Sequence, residues 1–585
     1  MAVTDRPICL IRPPAVETFR FSSLSITPPL GLAFVAGALE HAGHRVEVVD
    51  AVAAAPEQHL RYFRGYLVGA TFAEIAERIP GDARVVGITA LFTHEWPAIV
   101  ELVATIKARR PDVTVVLGGE HVTSMPEFCL LTSQADIVVL GEGEETTVEL
   151  VDGLERGVPL AEIVGIAYRD GDEVVVNARR ARTLDIDEIP RPAWHLIDLD
   201  TYHEHRWMGG MWSSRKSVPI LATRGCPYQC TYCSAPNMWT PRWIARDPRK
   251  VVDEIEHYVE HFGARNFPFQ DLTAIIKREW IVEFCEELLA RGLDITWQMP
   301  TGTRSEAIDA EVAQLLRKTN MISMAYAPES GSETTRKLIK KKMKTDRLFE
   351  SMRCAVDAGL NVMVFMVIGF PHDTEEHIRE NLWFFEQIAD IGINDAAVGF
   401  YMALPGTQMF ESLYDSGKIR IDRRYFRHIL SSTSLWATST YSGLSRTKLT
   451  YWKFRLMRHF YSRQRKLVGS KGMLSTVRQA VAALRQGDGA DTTKLHSAFR
   501  NGIISAGDTL KVKVKPGGWM DKRRERAMFE SWDAIYREIR ARNQACGAAL
   551  QLSTDPSRLH EVNVTKQIKQ AHGTKRRIPV SVASS

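Results

Sequence analysis

The sequence predicts an α/β protein with three parts. A doubly wound parallel sheet comes first, a partial (β/α)6 barrel follows, and a mostly helical C-terminal domain ends the chain. Three observations predict this. Short apolar runs alternate with amphipathic helical stretches through the first 140 residues. Six further strand-then-helix steps follow between Val218 and Tyr401. Beyond Tyr414 that rhythm stops and aromatic and basic residues interleave.

In the first part, Ile8 to Ile11 reads as a strand that ends at Arg12-Pro13-Pro14. Pro28-Pro29 opens a helix that runs to about His41, with proline where a missing N–H is harmless. Strands follow at Val46 to Val49, Val85 to Thr89, Val113 to Leu117 and Ile137 to Leu140, with a helix over Trp96 to Arg109. The strand ends carry Thr89 to His94, then Gly118-Gly119-Glu120-His121, then Gly141-Glu142-Gly143-Glu144. Glycines there let a backbone approach a flat or anionic ligand, or simply make tight turns. A dinucleotide is disfavoured, because no GxGxxG loop follows the first strand.

A hairpin is expected at Ile163 to Tyr168 and Glu173 to Val176, around Asp170-Gly171-Asp172. The acids Asp185, Asp187 and Glu188 read as a solvated linker. Tyr202, Trp207 and Trp212 could touch a substrate, but packing is the favoured reading.

The barrel begins with Val218 to Gly225, a buried strand that stops at a glycine. Directly after it comes Cys226-Pro-Tyr-Gln-Cys230-Thr-Tyr232-Cys233. Three soft thiolates at this spacing can hold an iron–sulfur cluster, a zinc ion, or neither. No second cysteine pair completes a zinc site. Strands are then expected at Asn266 to Phe269, Ile295 to Met299, Ile322 to Ala327, Val362 to Ile368 and Ala396 to Tyr401. Helices over Pro248 to Phe262, Trp280 to Leu289, Glu306 to Lys318, Leu348 to Ala358 and Ile378 to Ile388 separate them.

The context TRGCPYQCTYCSAP closely resembles the signature of radical S-adenosylmethionine (radical SAM) enzymes. The stretches PPLGLAFVAGALEHAGHRVEVVD, VVLGGEHVT and DIVVLGEGEET resemble the cobalamin-binding domain that precedes the radical core in one large subgroup. The resemblance covers roughly residues 1 to 415. It implies a Rossmann-like cobalamin domain over residues 1–150, a connector over 151–210, and a TIM-like radical SAM core over 211–415. A C-terminal domain over 416–552 and a flexible tail over 553–585 complete the chain.

By the same resemblance, Cys226, Cys230 and Cys233 hold a [4Fe-4S] cluster. Tyr232, Asp271, Glu329, Ser330, Gly369 and Pro371 contact S-adenosylmethionine. Asp271 is expected to reach its amine or ribose, since Gln270 replaces the other acid of the FxDDxF pattern. Thr89, Thr93, Gly118, Gly119, Glu120, Gly141, Glu142 and Gly143 line cobalamin. No Asp-x-His-x-x-Gly occurs, so neither His94 nor His121 is marked as a cobalt ligand.

The implied activity is methyl transfer from methylcobalamin to an unactivated sp3 carbon, after hydrogen abstraction by a 5′-deoxyadenosyl radical. A flavodoxin- or ferredoxin-type donor would supply electrons. The same architecture serves an anaerobic oxidative cyclase of a porphyrin ester or a radical ring rearrangement. A cobalamin-binding sensor is the non-enzymatic alternative, against which the intact cysteines argue.

Composition bounds these readings. The 585 residues are 45% hydrophobic, enough for several cores, and 75 basic against 70 acidic side chains leave a net charge of +5. That near balance disfavours a dedicated nucleic-acid binder. Eight cysteines without disulfide spacing suit a reducing cytoplasm. No secretion pattern or 18-residue apolar run appears. A small substrate, flat or amphiphilic, is expected. The C-terminal aromatics, among them Trp436, Trp452 and Tyr461, with Arg455, Arg458 and Arg463, could close over it, although a packing face is the favoured reading.

Overall fold

The computed structural model describes residues 6–17, 26–63, 65–171, 173–304, 307–431, 434–486, 514 and 522–545. The expected break at Gly487 to Asp491, all of Lys511 to Lys515 except Val514, and the tail 553–585 lie outside the described residues.

Among the described residues ten strands belong to the N-terminal part: β1 (Ile8–Arg12), β2 (Ala15–Glu17), β3 (Val46–Asp50), β4 (His59–Tyr62), β5 (Gly65–Val68), β6 (Val85–Thr89), β7 (Thr114–Gly118), β8 (Ile137–Val139), β9 (Ile166–Asp170) and β10 (Glu173–Val176). Seven form one sheet in the order β10-β9-β8-β7-β6-β1-β3. The five strands from β3 to β8 pair in parallel, and β9 and β10 join antiparallel at the edge. The hairpin expected in the connector therefore extends this sheet. β2, β5 and β4 make a separate three-stranded antiparallel sheet that sequence reading did not find.

The alternation of β1 shows how the sheet is covered. Ile8 and Leu10 pack in one core with Leu32, Leu39 and Val151. Cys9 and Ile11 pack in another with Ile75, Trp96, Ile99 and Leu102. Strand side chains point to opposite faces in turn, so helices on both sides follow directly from the sequence.

The second part holds β11 (Thr223–Arg224), β12 (Ile244–Ala245), β13 (Asn266–Pro268), β14 (Thr296–Thr303), β15 (Met321–Glu329), β16 (Asn361–Ile368) and β17 (Asp395–Phe400). β13 to β17 pair in parallel in chain order. Bridges from Ser217 to Asn266 and from Ile220 to Phe269 add a sixth parallel segment beside β13. The helix expected from Glu306 starts at Ala310 instead, because the Asp309 side chain accepts from the Val312 N–H and caps it there.

One linker acid departs from expectation. Asp185 and Glu188 are exposed, but Asp187 accepts from Arg246 Nε at 3.2 Å and from the Asp247 N–H at 2.8 Å. A cation across the linker takes it out of solvent. Tyr202 and Trp207 are buried, as packing requires, and the Tyr202 hydroxyl donates to Asp50 at 2.6 Å.

The C-terminal residues divide between the two sheets. Helix Arg446–Gln486 lies on helix Glu375–Ile391, with Arg463 paired to Asp390 at 2.7 Å and Tyr461 donating to Asp395 at 2.6 Å. Helix Lys522–Ala545 returns to the N-terminal part. It buries Phe529, Trp532, Tyr536 and Ile539 along one stripe, and Arg524 pairs with Glu101 at 3.0 Å. No described helix is long and apolar enough to cross a membrane.

Candidate functional site

The three-cysteine loop is positioned by Asp271. This carboxylate, 1% exposed, accepts from the Ala222 N–H at 3.3 Å, the Thr223 N–H at 2.5 Å and the Thr223 hydroxyl at 2.6 Å. Burial pushes it up to about 6 against the pull of those hydrogen bonds. Both oxygens of Asp271, expected near S-adenosylmethionine, are engaged by the strand that leads to the cysteines. Gly225 then turns the chain at φ +83°, and any Cβ there would lie 2.1 Å from the Arg242 carbonyl oxygen.

Cys226, Cys230 and Cys233 are free, partly buried thiols. The Thr231 N–H donates to the Ile339 carbonyl at 3.1 Å, which pins the loop to the end of helix Glu333–Leu338. Arg304 lies 3.7 Å over the Tyr228 ring, inside the loop itself. Burial raises all three thiols, and Cys233 reaches about 12. Lys341 and Arg304 oppose the rise at Cys226 and Cys230. Among the described residues no three His, Cys, Asp or Glu side chains could hold a metal ion. A single ion would draw its sulfurs to one point, whereas a four-iron cube takes one cysteine per iron. The donor set fits the cube.

The expected S-adenosylmethionine residues sit on the adjoining rim. Tyr232 packs edge-on against Phe370 at 5.5 Å. Glu329 ends β15 at φ +66° and pairs with Lys341 at 3.2 Å. Ser330 is buried, with its carbonyl accepting from Arg336 at 2.7 Å. Gly369 turns at φ +89°, and its N–H donates to Asp373 at 2.9 Å. The Phe370 N–H donates to the same oxygen at 3.0 Å, which fixes the turn into Pro371. Lys341, Arg304 and Asp373 were not foreseen. Lys341 belongs to a run of three lysines that reads as solvated surface, and nothing local marks it as the buried one.

The expected cobalamin residues divide into two groups. Thr89 pairs with Gly118 at the ends of β6 and β7, and nothing lies within 4 Å of a Cβ built on Gly118. Gly119, at φ +124°, lets the chain pass 2.8 Å from the Ala90 oxygen as judged from a built Cβ. Leu91 and Phe92 are 44% and 43% exposed on the same edge. Small residues with apolar neighbours make an open ledge, which suits a flat ligand.

The second group faces the cysteine loop. Glu120 is raised by burial and bonded to Ser234, and Glu142 pairs with Arg182 at 3.0 Å and Arg224 at 3.1 Å. A Cβ on Gly141 would lie 3.8 Å from the Met238 oxygen. Gly143 precedes helix Glu144–Arg156.

The two histidines sit differently, one beside the ledge's Phe92 and the other buried. His94 stacks on Phe92 at 5.4 Å. His121 is 2% exposed, with Nδ1 3.2 Å from the Thr93 hydroxyl and its ring 5.2 Å from Trp96. Burial, and then His94, lower it to about 3. Its folded value lies below the unfolded one, so its contribution is complete above about 6.5 and is lost as pH falls. We expect His121→Gln to flatten the acid limb of stability by up to about 1.4 kcal/mol per pH unit below pH 6.5. Urea midpoints across pH 4 to 7 check this, and parallel curves for the two proteins would refute it.

Comparison with known proteins gives two domain matches. The B12 binding domain matches residues 18–151, and the radical SAM superfamily matches residues 220–385. An uncharacterized methyltransferase of Pyrococcus horikoshii is 28% identical over 407 residues, spanning 69% of this chain and 82% of that protein. The cytidylyl-2-hydroxyethylphosphonate methyltransferase of Streptomyces wedmorensis is 27% identical over 469 residues, 73% of this chain and 86% of that one. The anaerobic magnesium-protoporphyrin IX monomethyl ester cyclase of Cereibacter sphaeroides is 29% identical over 404 residues, 67% of this chain and 61% of that one. Among solved structures, the radical S-adenosylmethionine methyltransferase TsrM of Kitasatospora setae, with cobalamin and a [4Fe-4S] cluster bound, superposes with a TM-score of 0.56. The identity is 18%, over 71% of this chain and 76% of that one.

Proposed function

We propose, from the premise that this chain joins an N-terminal cobalamin-binding domain to a radical SAM core, that it is a cobalamin-dependent radical SAM methyltransferase acting on an unactivated sp3 carbon. One observation carries the reading. The three-thiol loop and the strand-end loops of the N-terminal sheet meet directly, through Arg224, Glu142 and Ser234. A hydrogen-abstracting group and a methyl donor must both reach one carbon, and this junction supports neighbouring sites for the two.

In this reading the first sheet is doubly wound and Rossmann-like, spanning residues 1–150, and residues 211–415 form a partial (β/α)6 barrel. Cys226, Cys230 and Cys233 hold the [4Fe-4S] cluster. Tyr232, Glu329, Ser330, Gly369 and Pro371 shape the S-adenosylmethionine site, and Asp271 braces the strand beneath it. Thr89, Thr93, Gly118 and Gly119 support cobalamin, and Glu120, Gly141, Glu142 and Gly143 form the side of its pocket nearest the cluster. When bound, cluster and S-adenosylmethionine supply hydrogen abstraction, and methylcobalamin supplies the methyl group. The protein's part is to hold the carbon between them and exclude water. Electrons come from a flavodoxin- or ferredoxin-type donor, and the reducing chemistry suits the cytoplasm.

Similarity to the magnesium-protoporphyrin ester cyclase supports a second reading, oxidative cyclisation without methyl transfer. An anaerobic assay separates them. Reconstituted protein is incubated with methyl-labelled S-adenosylmethionine, reductant and metabolite extract. Methyl transfer puts label into a product and yields S-adenosylhomocysteine and 5′-deoxyadenosine together. An altered substrate with 5′-deoxyadenosine, but neither label nor S-adenosylhomocysteine, refutes the methyltransferase and favours the cyclase.

A further inference from the structure

We propose that Arg224 is a positioning residue that sets the separation between the cluster and cobalamin by latching the cysteine loop to the strand-end loop after β8. This deepens the functional reading above and rests on it.

The geometry is specific. Arg224 is 4% exposed and lies two residues before Cys226. One guanidinium nitrogen reaches Glu142 at 3.1 Å and another reaches Glu144 at 2.6 Å. Both acids belong to the loop that leaves β8 and opens helix Glu144–Arg156. The guanidinium also sits 5.0 Å over Phe34 and 5.6 Å over Trp239, so its plane is fixed from the side. Arg182 holds the remaining oxygen of Glu142 at 3.0 Å. Its own Nη1 donates to the Trp239 and Arg242 carbonyls at 2.7 and 2.8 Å. The chain before and after the cysteines is thereby tied to one loop of the N-terminal sheet.

Stability alone is a weak reason for such a network. Buried ion pairs are often matched or exceeded by apolar groups of the same volume, because two charges must be taken out of water. What a planar arginine fork adds is direction and distance. The span from Arg224 to Cys226 is at most about 7 Å, so a shift at the fork passes to the first cysteine with little slack. The fork therefore fixes register between two cofactor sites carried on different sheets.

Pulsed electron paramagnetic resonance tests this without a substrate. Full-length protein is reconstituted with cluster and cob(II)alamin, the cluster is reduced, and the distance distribution between the two spins is measured. The parent protein should give one narrow distance. Arg224→Met/Glu144→Gln removes one charge of each sign, keeps the packing on Phe34 and Trp239, and leaves Glu142 paired with Arg182. It should keep iron and cobalamin at parent levels while the distribution widens about twofold or more. Arg224→Lys keeps the charge but loses the fork, and should widen it by less.

An unchanged narrow distance in the double variant, with both cofactors present, overturns the latch. So does loss of either cofactor in both variants, since Arg224 would then support folding and not spacing. A parent protein that takes up no cobalamin would refute the functional reading instead, a result distinct from either.

Discussion

Replacing any one of Cys226, Cys230 and Cys233 with alanine is expected to lower iron after anaerobic reconstitution from about four per chain to well below that, and the triple variant to background. Formation of 5′-deoxyadenosine from S-adenosylmethionine should disappear with it. The three thiols occupy one loop, and burial holds all of them above their usual range while they are protonated. A buried thiol surrounded by other thiols has little reason to ionise except to bind metal. Cys354, partly exposed on helix Thr345–Asp357, serves as the control. Cys354→Ala should keep the full iron content. Iron and sulfide analysis with the electronic spectrum decides the matter, and a triple variant that keeps a full cluster would end the assignment.

The fold was legible in the sequence where burial imposes a simple period. The alternation of β1 marks a strand covered on both sides, and the apolar runs of β6 and β16 mark strands that bury at least one face. Legibility failed at the rim. β14 was expected to end at Met299 and runs to Thr303, and β15 was expected to end at Ala327 and runs to Glu329. Pro300, Gly302 and Pro328 lie in those extensions, and such residues ordinarily signal the end of a strand. The site is built where local rules are relaxed, so the pattern that finds a strand loses it near the chemistry.

The cysteine loop was readable because its three thiols are close in sequence. The groups that position it come from far away and are ordinary charges in isolation. Asp271 reads as a ligand-binding acid, and its hydrogen bonds to Ala222 and Thr223 come only with the folded chain. Arg224 and Glu142 are 82 residues apart, and only the folded chain brings them together. Of the cobalamin set, the glycines could be read as close-approach positions. Which of them open onto a ledge and which face the cysteine loop depends on how the two sheets meet.

Gly225→Ala is expected to be far more damaging than a one-carbon change suggests. Two costs combine there. A residue with a Cβ in the left-handed region costs about 1–2 kcal/mol. The added carbon would also stand 2.1 Å from the Arg242 carbonyl oxygen, where main chain must move. The Arg242 carbonyl is itself held by Arg182 at 2.8 Å, so relaxing it disturbs the network that includes Glu142 and Arg224. Gly263 separates the two costs. It ends helix Pro248–Phe262 at φ +65° with nothing within 4 Å of a built Cβ. Gly263→Ala should cost about 1 kcal/mol, the conformational penalty alone, and leave the cluster intact. Gly225→Ala should cost several times more in urea unfolding of the apo protein and should reconstitute with little iron. The measurement is the pair of urea midpoints with iron per chain for both variants. Equal midpoints and equal iron would show that the turn before Cys226 yields freely, and that no fixed approach to Arg242 holds the cysteine loop.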